Sequence, residues 1–136
     1  MKKVKIEQSE KKITLTEIND LELKLNKTLP SNLKSLYLKY NGGLLSDEDQ
    51  FTYDFASIKY GDFKLEELIE DLQVTEMTIP NFYLPFLISG VGNIITICLD
   101  NNNYGKIYLF RYDELEPILI KNYLEDFLGV KSIDEL

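Results

Sequence analysis

Six consecutive residues, Ile94-Ile95-Thr96-Ile97-Cys98-Leu99, constrain the fold of this chain more than any others. Ser89-Gly90-Val91-Gly92-Asn93 precedes them and Asp100-Asn101-Asn102-Asn103-Tyr104-Gly105 follows, both rich in turn-forming residues. A run this short between turns suits a strand and is too short for a buried helix. It is apolar on both faces, so both faces must be covered, which makes it a central strand (94–99) of a sheet. The Asp100–Gly105 turn reverses the chain, and residues 106–112 return as the second arm of a hairpin. Upstream, residues 82–88 are apolar and β-rich. Pro85 cannot donate to a ladder, which predicts an edge position for that strand.

The first half reads differently. Thr14-Leu15-Thr16-Glu17 fits a capping box, with Thr14 as N-cap and Glu17 reaching back to it, and Ile13 and Ile18 stand where a hydrophobic staple sits. Ile18, Leu21 and Leu25 continue at helical spacing, predicting a helix over 15–26. Pro30 opens a second helix over 31–41, striped by Leu33, Leu36, Tyr37 and Tyr40 and ended by Asn41-Gly42-Gly43 as a left-handed cap. Residues 44–63 read as loop and short strand. Leu65, Leu68, Ile69 and Leu72 stripe a third helix (64–73), with Glu66, Glu67, Glu70 and Asp71 on its outer face. A last helix (122–128) takes Asn122 as cap and buries Tyr123, Leu124, Phe127 and Leu128. The order describes one α+β domain over residues 1–136 with its core at about 13–128. It is a mainly antiparallel sheet with an N-terminal helix pair, a middle helix and a C-terminal helix.

The chemistry available is narrow. There is no histidine among the 136 residues, which removes the commonest general base, the usual triads and most zinc sites. The one cysteine, Cys98, falls in the most apolar strand with nothing to activate it and reads as a buried structural thiol. Gly90-Val91-Gly92 leads into a strand and places Ile95 where a dinucleotide fingerprint needs its third glycine. Asp100–Gly105 starts like a calcium loop but has Tyr104 at the fifth place and Arg111 at the twelfth, where a bidentate acid is required. The acids Asp47, Glu48 and Asp49 could gather a weak metal ion, yet nothing in their spacing demands one. The expectation is therefore no catalytic residue, no metal and no cofactor. A charged N-terminus, a single cysteine and apolar runs far below about 20 residues point to the cytoplasm, with no membrane contact.

Charge distribution is more informative than its total. Net charge is −8, and residues 44–76 alone hold ten acids against Lys59 and Lys64, also −8. Such a segment repels nucleic acid and attracts basic surfaces. On the third helix, Glu66/Glu70 and Glu67/Asp71 are like-charge pairs four apart, each costing a few tenths of a kcal/mol. Asp47, Glu48, Asp49, Asp54, Glu66, Glu67, Glu70 and Asp71 are accordingly the candidate partner-binding residues.

Leu29-Pro30, Leu36-Tyr37-Leu38 and Tyr40-Asn41-Gly42-Gly43 resemble a signature of the SUKH superfamily, the Smi/Knr-like proteins. Leu84-Pro85-Phe86, Gly92-Asn93, Leu99-Asp100, Gly105-Lys106-Ile107-Tyr108 and Asn122–Leu128 resemble its later motifs, in family order from about residue 13 to 128. Leu87-Ile88-Ser89 stands where members often carry acids, and Tyr112-Asp113-Glu114 where they often carry a histidine. No specific polar site is therefore carried over. The resemblance implies a non-enzymatic α+β binding module. In bacteria many such members are immunity proteins that bind and neutralise a toxin, here one with a basic domain, such as a nuclease. The alternative it leaves open is a regulatory or scaffold domain with an intracellular, non-toxin partner.

Removing the Cys98 thiol should cost packing alone. Cys98→Ala is expected to lower stability by about 1 kcal/mol in urea melts and to leave partner binding at wild-type affinity.

Overall fold

In the computed structural model, which describes residues 3–49, 51–112, 114 and 116–136, seven strands form one sheet in strict chain order. They are β1 (Lys5–Glu7), β2 (Gly43–Ser46), β3 (Thr52–Phe55), β4 (Tyr83–Ile88), β5 (Ile94–Cys98), β6 (Ile107–Phe110) and β7 (Ile118–Lys121). Every neighbouring pair is antiparallel. Helices α1 (Leu15–Leu25) and α2 (Ser31–Lys39) lie between β1 and β2 in the chain, α3 (Leu65–Ile69) between β3 and β4, and α4 (Leu124–Leu128) after β7. The α+β class, the antiparallel sheet and all four helices agree with the sequence reading. Asp113, in the Tyr112-Asp113-Glu114 stretch, lies outside the described residues.

Cross-strand partners share a face, so the register defines two rows across the sheet. One row runs Gly43–Phe55–Leu87–Ile95–Leu109. Its Phe55 ring lies 4.8 Å from the Tyr37 ring of α2, and Tyr53, on the same face, lies 6.3 Å from Phe127 of α4. The other row runs Glu7–Leu44–Asp54–Ile88–Ile94–Phe110. Leu72 and Ile79 approach that row at Ile88, Ile94 and Phe110. Helical segments thus flank both sides of β5, whose five residues are all buried.

Several local readings need correction. β4 is an inner strand between β3 and β5, so Pro85 is not at an edge. β3 stops at Phe55, opposite Leu87, and a register shift falls between Pro85 and Leu87. The proline therefore sits at a bulge beyond the β3 ladder, where no donor is needed. The third helix is not α throughout. From Glu70 to Thr75 it widens into a π turn, closed by Glu76 N–H to Asp71 carbonyl at 2.9 Å. The cap of α4 is Tyr123, without a side-chain bond, and Tyr123 is 63% exposed instead of buried. The short strand read within 44–63 resolves into β2 and β3, while β1 and β7 had no clear signal of their own.

The Asn41-Gly42-Gly43 turn is more than a helix stop. α2 ends on Tyr40 in extended conformation, not on a left-handed residue. Asn41 is 1% exposed: its Nδ2 donates to the Lys11 and Ile58 carbonyls at 2.9 Å each, and its Oδ1 accepts the Ile58 N–H at 2.7 Å. Gly42, at φ +76°, abuts β3's end, where a Cβ would sit 2.6 Å from Ser57 Cβ. Gly43, at φ +124°, abuts β1, where a Cβ would fall 2.2 Å from the Glu7 carbonyl oxygen. Only glycine permits both the conformations and the approaches.

At the start of α1 the capping box forms as expected, with Glu17 N–H to Thr14 Oγ1 at 3.3 Å and Thr14 N–H to Glu17 Oε1 at 3.1 Å. Glu17 Oε2 also meets Lys59 Nζ at 2.8 Å and accepts the Tyr60 hydroxyl at 3.1 Å. The Lys59 ammonium foremost, then the Thr14 N–H, holds this carboxyl down at about 2.

Asn41→Ala should be among the costliest single changes. It strands the buried Ile58 N–H and carbonyl, for a loss of about 3 kcal/mol or more in urea unfolding. Glu17 should give a pH signature. Its folded-state value lies below the ordinary 4.5, so its stabilisation is full above that pH and fades as pH falls toward about 2. Glu17→Gln should therefore lower Tm near neutral pH, with the gap to wild type closing between about pH 5 and 2.

Candidate partner-binding surface

The eight candidate acids do not form one patch. Asp47, Glu48 and Asp49 occupy the β2–β3 hairpin end. α3 begins beyond the opposite end of β3, where Leu65 N–H donates to the Ser57 carbonyl at 2.7 Å. At about 3.3 Å per residue, the Thr52–Ser57 stretch separates these groups by roughly 16 Å. Asp54 lies between them, exposed on β3.

Two of the eight have structural jobs. Asp47 Oδ1 accepts the N–H groups of Asp49 and Phe51, closing the hairpin turn, and helps burial push the Tyr53 hydroxyl up. Glu66 leaves the helix's outer face. Half-buried, it accepts the Lys59 N–H at 3.0 Å and, after burial, contributes to raising the Tyr37 hydroxyl. Glu67 pairs loosely with Lys64 at 3.5 Å. Glu70 and Asp71 are exposed on the π turn, with no lysine or arginine in ion-pair reach among the described residues. Asp47 and Glu48 share a hollow with Lys3 and Lys5, whose charges offset theirs.

A second hollow, of about 360 Å³, opens on the sheet face of the Asp54 row. Leu44, Ile88 and Phe63 supply its apolar lining, and Glu10, Asp54 and Asp62 its carboxylates. None of these three acids has an ion-pair partner among the described residues. Sequence reasoning found Asp54 alone. Glu10 sits in a lysine-rich segment that masks it, and Asp62 sits in a loop whose fold only the Asn41 contacts define. A third hollow, of about 650 Å³, adjoins the second through Ile88 and is lined by Leu72, Ile79, Ile94 and Phe110 together with Glu76, Arg111, Tyr112 and Glu114.

Reactive groups are sparse. Cys98 is 1% exposed, and burial raises its thiol above the ordinary range, the opposite of an activated nucleophile. Among the described residues no three His, Cys, Asp or Glu side chains converge as metal ligands, and no helix is long and apolar enough to cross a membrane.

The described residues form an α+β domain with one antiparallel sheet flanked by helices. The chain belongs to the SMI1/KNR4 family (SUKH-1), which it matches over residues 12–129. That family is one of generally non-enzymatic, immunity-type domains. No curated protein matches the chain. The matched segment starts after β1 and ends before the 3-10 turn at Ile133–Glu135, yet Val4 and Ile133 are both buried in the core.

Proposed function

We propose that this chain is a cytoplasmic immunity protein that binds and neutralises a toxin domain with a basic surface, such as the cleft of a nuclease. Membership of an immunity-type family supports the class. The observation that carries the charge argument is the −8 of residues 44–76, of which Glu48, Asp54, Asp62, Glu70 and Asp71 are exposed. Exposed acids of this kind act mainly on encounter. They raise the association rate toward a cationic partner and lose that effect as salt screens the field, to about 8 Å at physiological ionic strength.

The test is co-expression with a toxin domain encoded beside this chain, followed by binding kinetics at two salt concentrations. Co-expression should restore growth, and wild-type association should slow as salt rises. Reversing Glu70 and Asp71 to Lys should leave Tm within a degree or two while slowing association about tenfold at low salt. Equal rates for both proteins at both salt concentrations would reduce the acids to a solvated face.

A further inference from the structure

We propose that the face of the sheet opposite α2 and α4 is a bipartite docking groove for a helix of the protein partner. The helix would set a Lys or Arg among Glu10, Asp54 and Asp62 and an aromatic side chain in the neighbouring hollow, beside Ile88 and above the buried Ile94 and Phe110. This deepens the immunity reading and rests on it for the partner's identity. The two hollows adjoin at Ile88, which lines both, and the register places it between Asp54 on β3 and Ile94 on β5. Along this face the lining passes from carboxylates without an ion pair among the described residues to a hollow of Leu72, Ile79 and Ile88, also lined by Glu76, Arg111 and Glu114.

Charge complementarity and strand spacing define the occupant. Strands lie about 4.8 Å apart, so from Asp54 the apolar end at Ile94 to Phe110 is roughly 10–14 Å away. Residues seven or eight apart on a helix are about 11–12 Å apart along its axis. An extended segment fits poorly. The inner strands β3–β6 already pair with each other, so a chain crossing their face finds no backbone partners and must satisfy its own. The acids stay at the rim in water, where they avoid the desolvation that a buried charge suffers. The aromatic anchor is the part that loses water.

The probe is an alanine-rich helical peptide carrying Arg and Trp seven residues apart, titrated into the full-length, isotope-labelled chain and followed by amide NMR. The largest shifts should fall on Leu44, Asp54, Ile88 and Ile94. Affinity should drop at least tenfold when the peptide's Arg becomes Glu, when its Trp moves to a spacing of two, or when the chain carries Asp54→Lys. Ile88→Ala should weaken binding with its melting temperature recorded alongside, and the wild-type footprint stands whether or not that variant folds. Shifts centred on 47–49 or on the outer face of α3, indifference to the Arg reversal, or no binding at millimolar peptide would each overturn the groove. If the peptide fails while the chain still protects against a toxin, the groove is wrong and the immunity reading survives. If the peptide binds as expected and no toxin is neutralised, the reverse holds.

Discussion

Most of this structure hangs on the buried Asn41 amide. Its three hydrogen bonds join three segments distant in sequence: the approach to α1 at Lys11, the end of α2, and the loop after β3 at Ile58. Tyr37, one turn earlier on α2, donates its hydroxyl to the Ala56 carbonyl at 2.8 Å, so the same helix grips the same loop twice. Ser9 Oγ and Glu10 N–H then bond the Gly42 and Asn41 carbonyls. In a buried site each bond left unmade costs more than each bond made contributes. The turn thus specifies one arrangement and penalises the alternatives.

That turn also positions the proposed surface. Because Gly43 lets β1 come close to β2, the chain from Glu7 to Glu10 runs along the edge of the hollow instead of away from it. Because Ile58 is held by Asn41, the following loop carries Phe63 and Asp62 to the other side of the same hollow. Three carboxylates from three parts of the chain line that hollow without any sequence motif. The Asn-Gly-Gly signature is a folding element whose consequence is a surface.

The legibility of the sequence follows from the range of the interactions involved. Thr14 and Glu17 were readable because capping is settled within three residues, and Ile94–Cys98 because a strand buried on both faces needs no partner to identify it. β1 and β7 were not, since each has too few residues for an alternation and exists only by pairing with β2 or β6. Pro85 misled for a related reason: whether a missing N–H matters depends on how far β3 extends, and it ends at Phe55. The candidate acids were legible as a charge surplus but not as a place. Asp54 and Ile88 become neighbours only through a register formed across the whole α3 excursion.

Net charge counted from sequence also overstates what a partner can feel. Glu17 is held by Lys59 and Tyr60, and Glu22 by Lys34 at 3.1 Å and the Leu29 N–H at 2.7 Å. Glu66 is held by the Lys59 N–H and Asp47 by its own turn. Glu17 and Glu22 are compensated by a lysine where they sit, so their fields beyond the surface are weak. Among the described acids without such partners, two groups matter here: Glu70 and Asp71 on the π turn, and Glu10, Asp54 and Asp62 around the hollow. The first group shares its turn with the exposed Val74, and Met77 is exposed just beyond. The second borders an apolar floor, where shape and charge act together on one contact, and there specificity for a partner can reside.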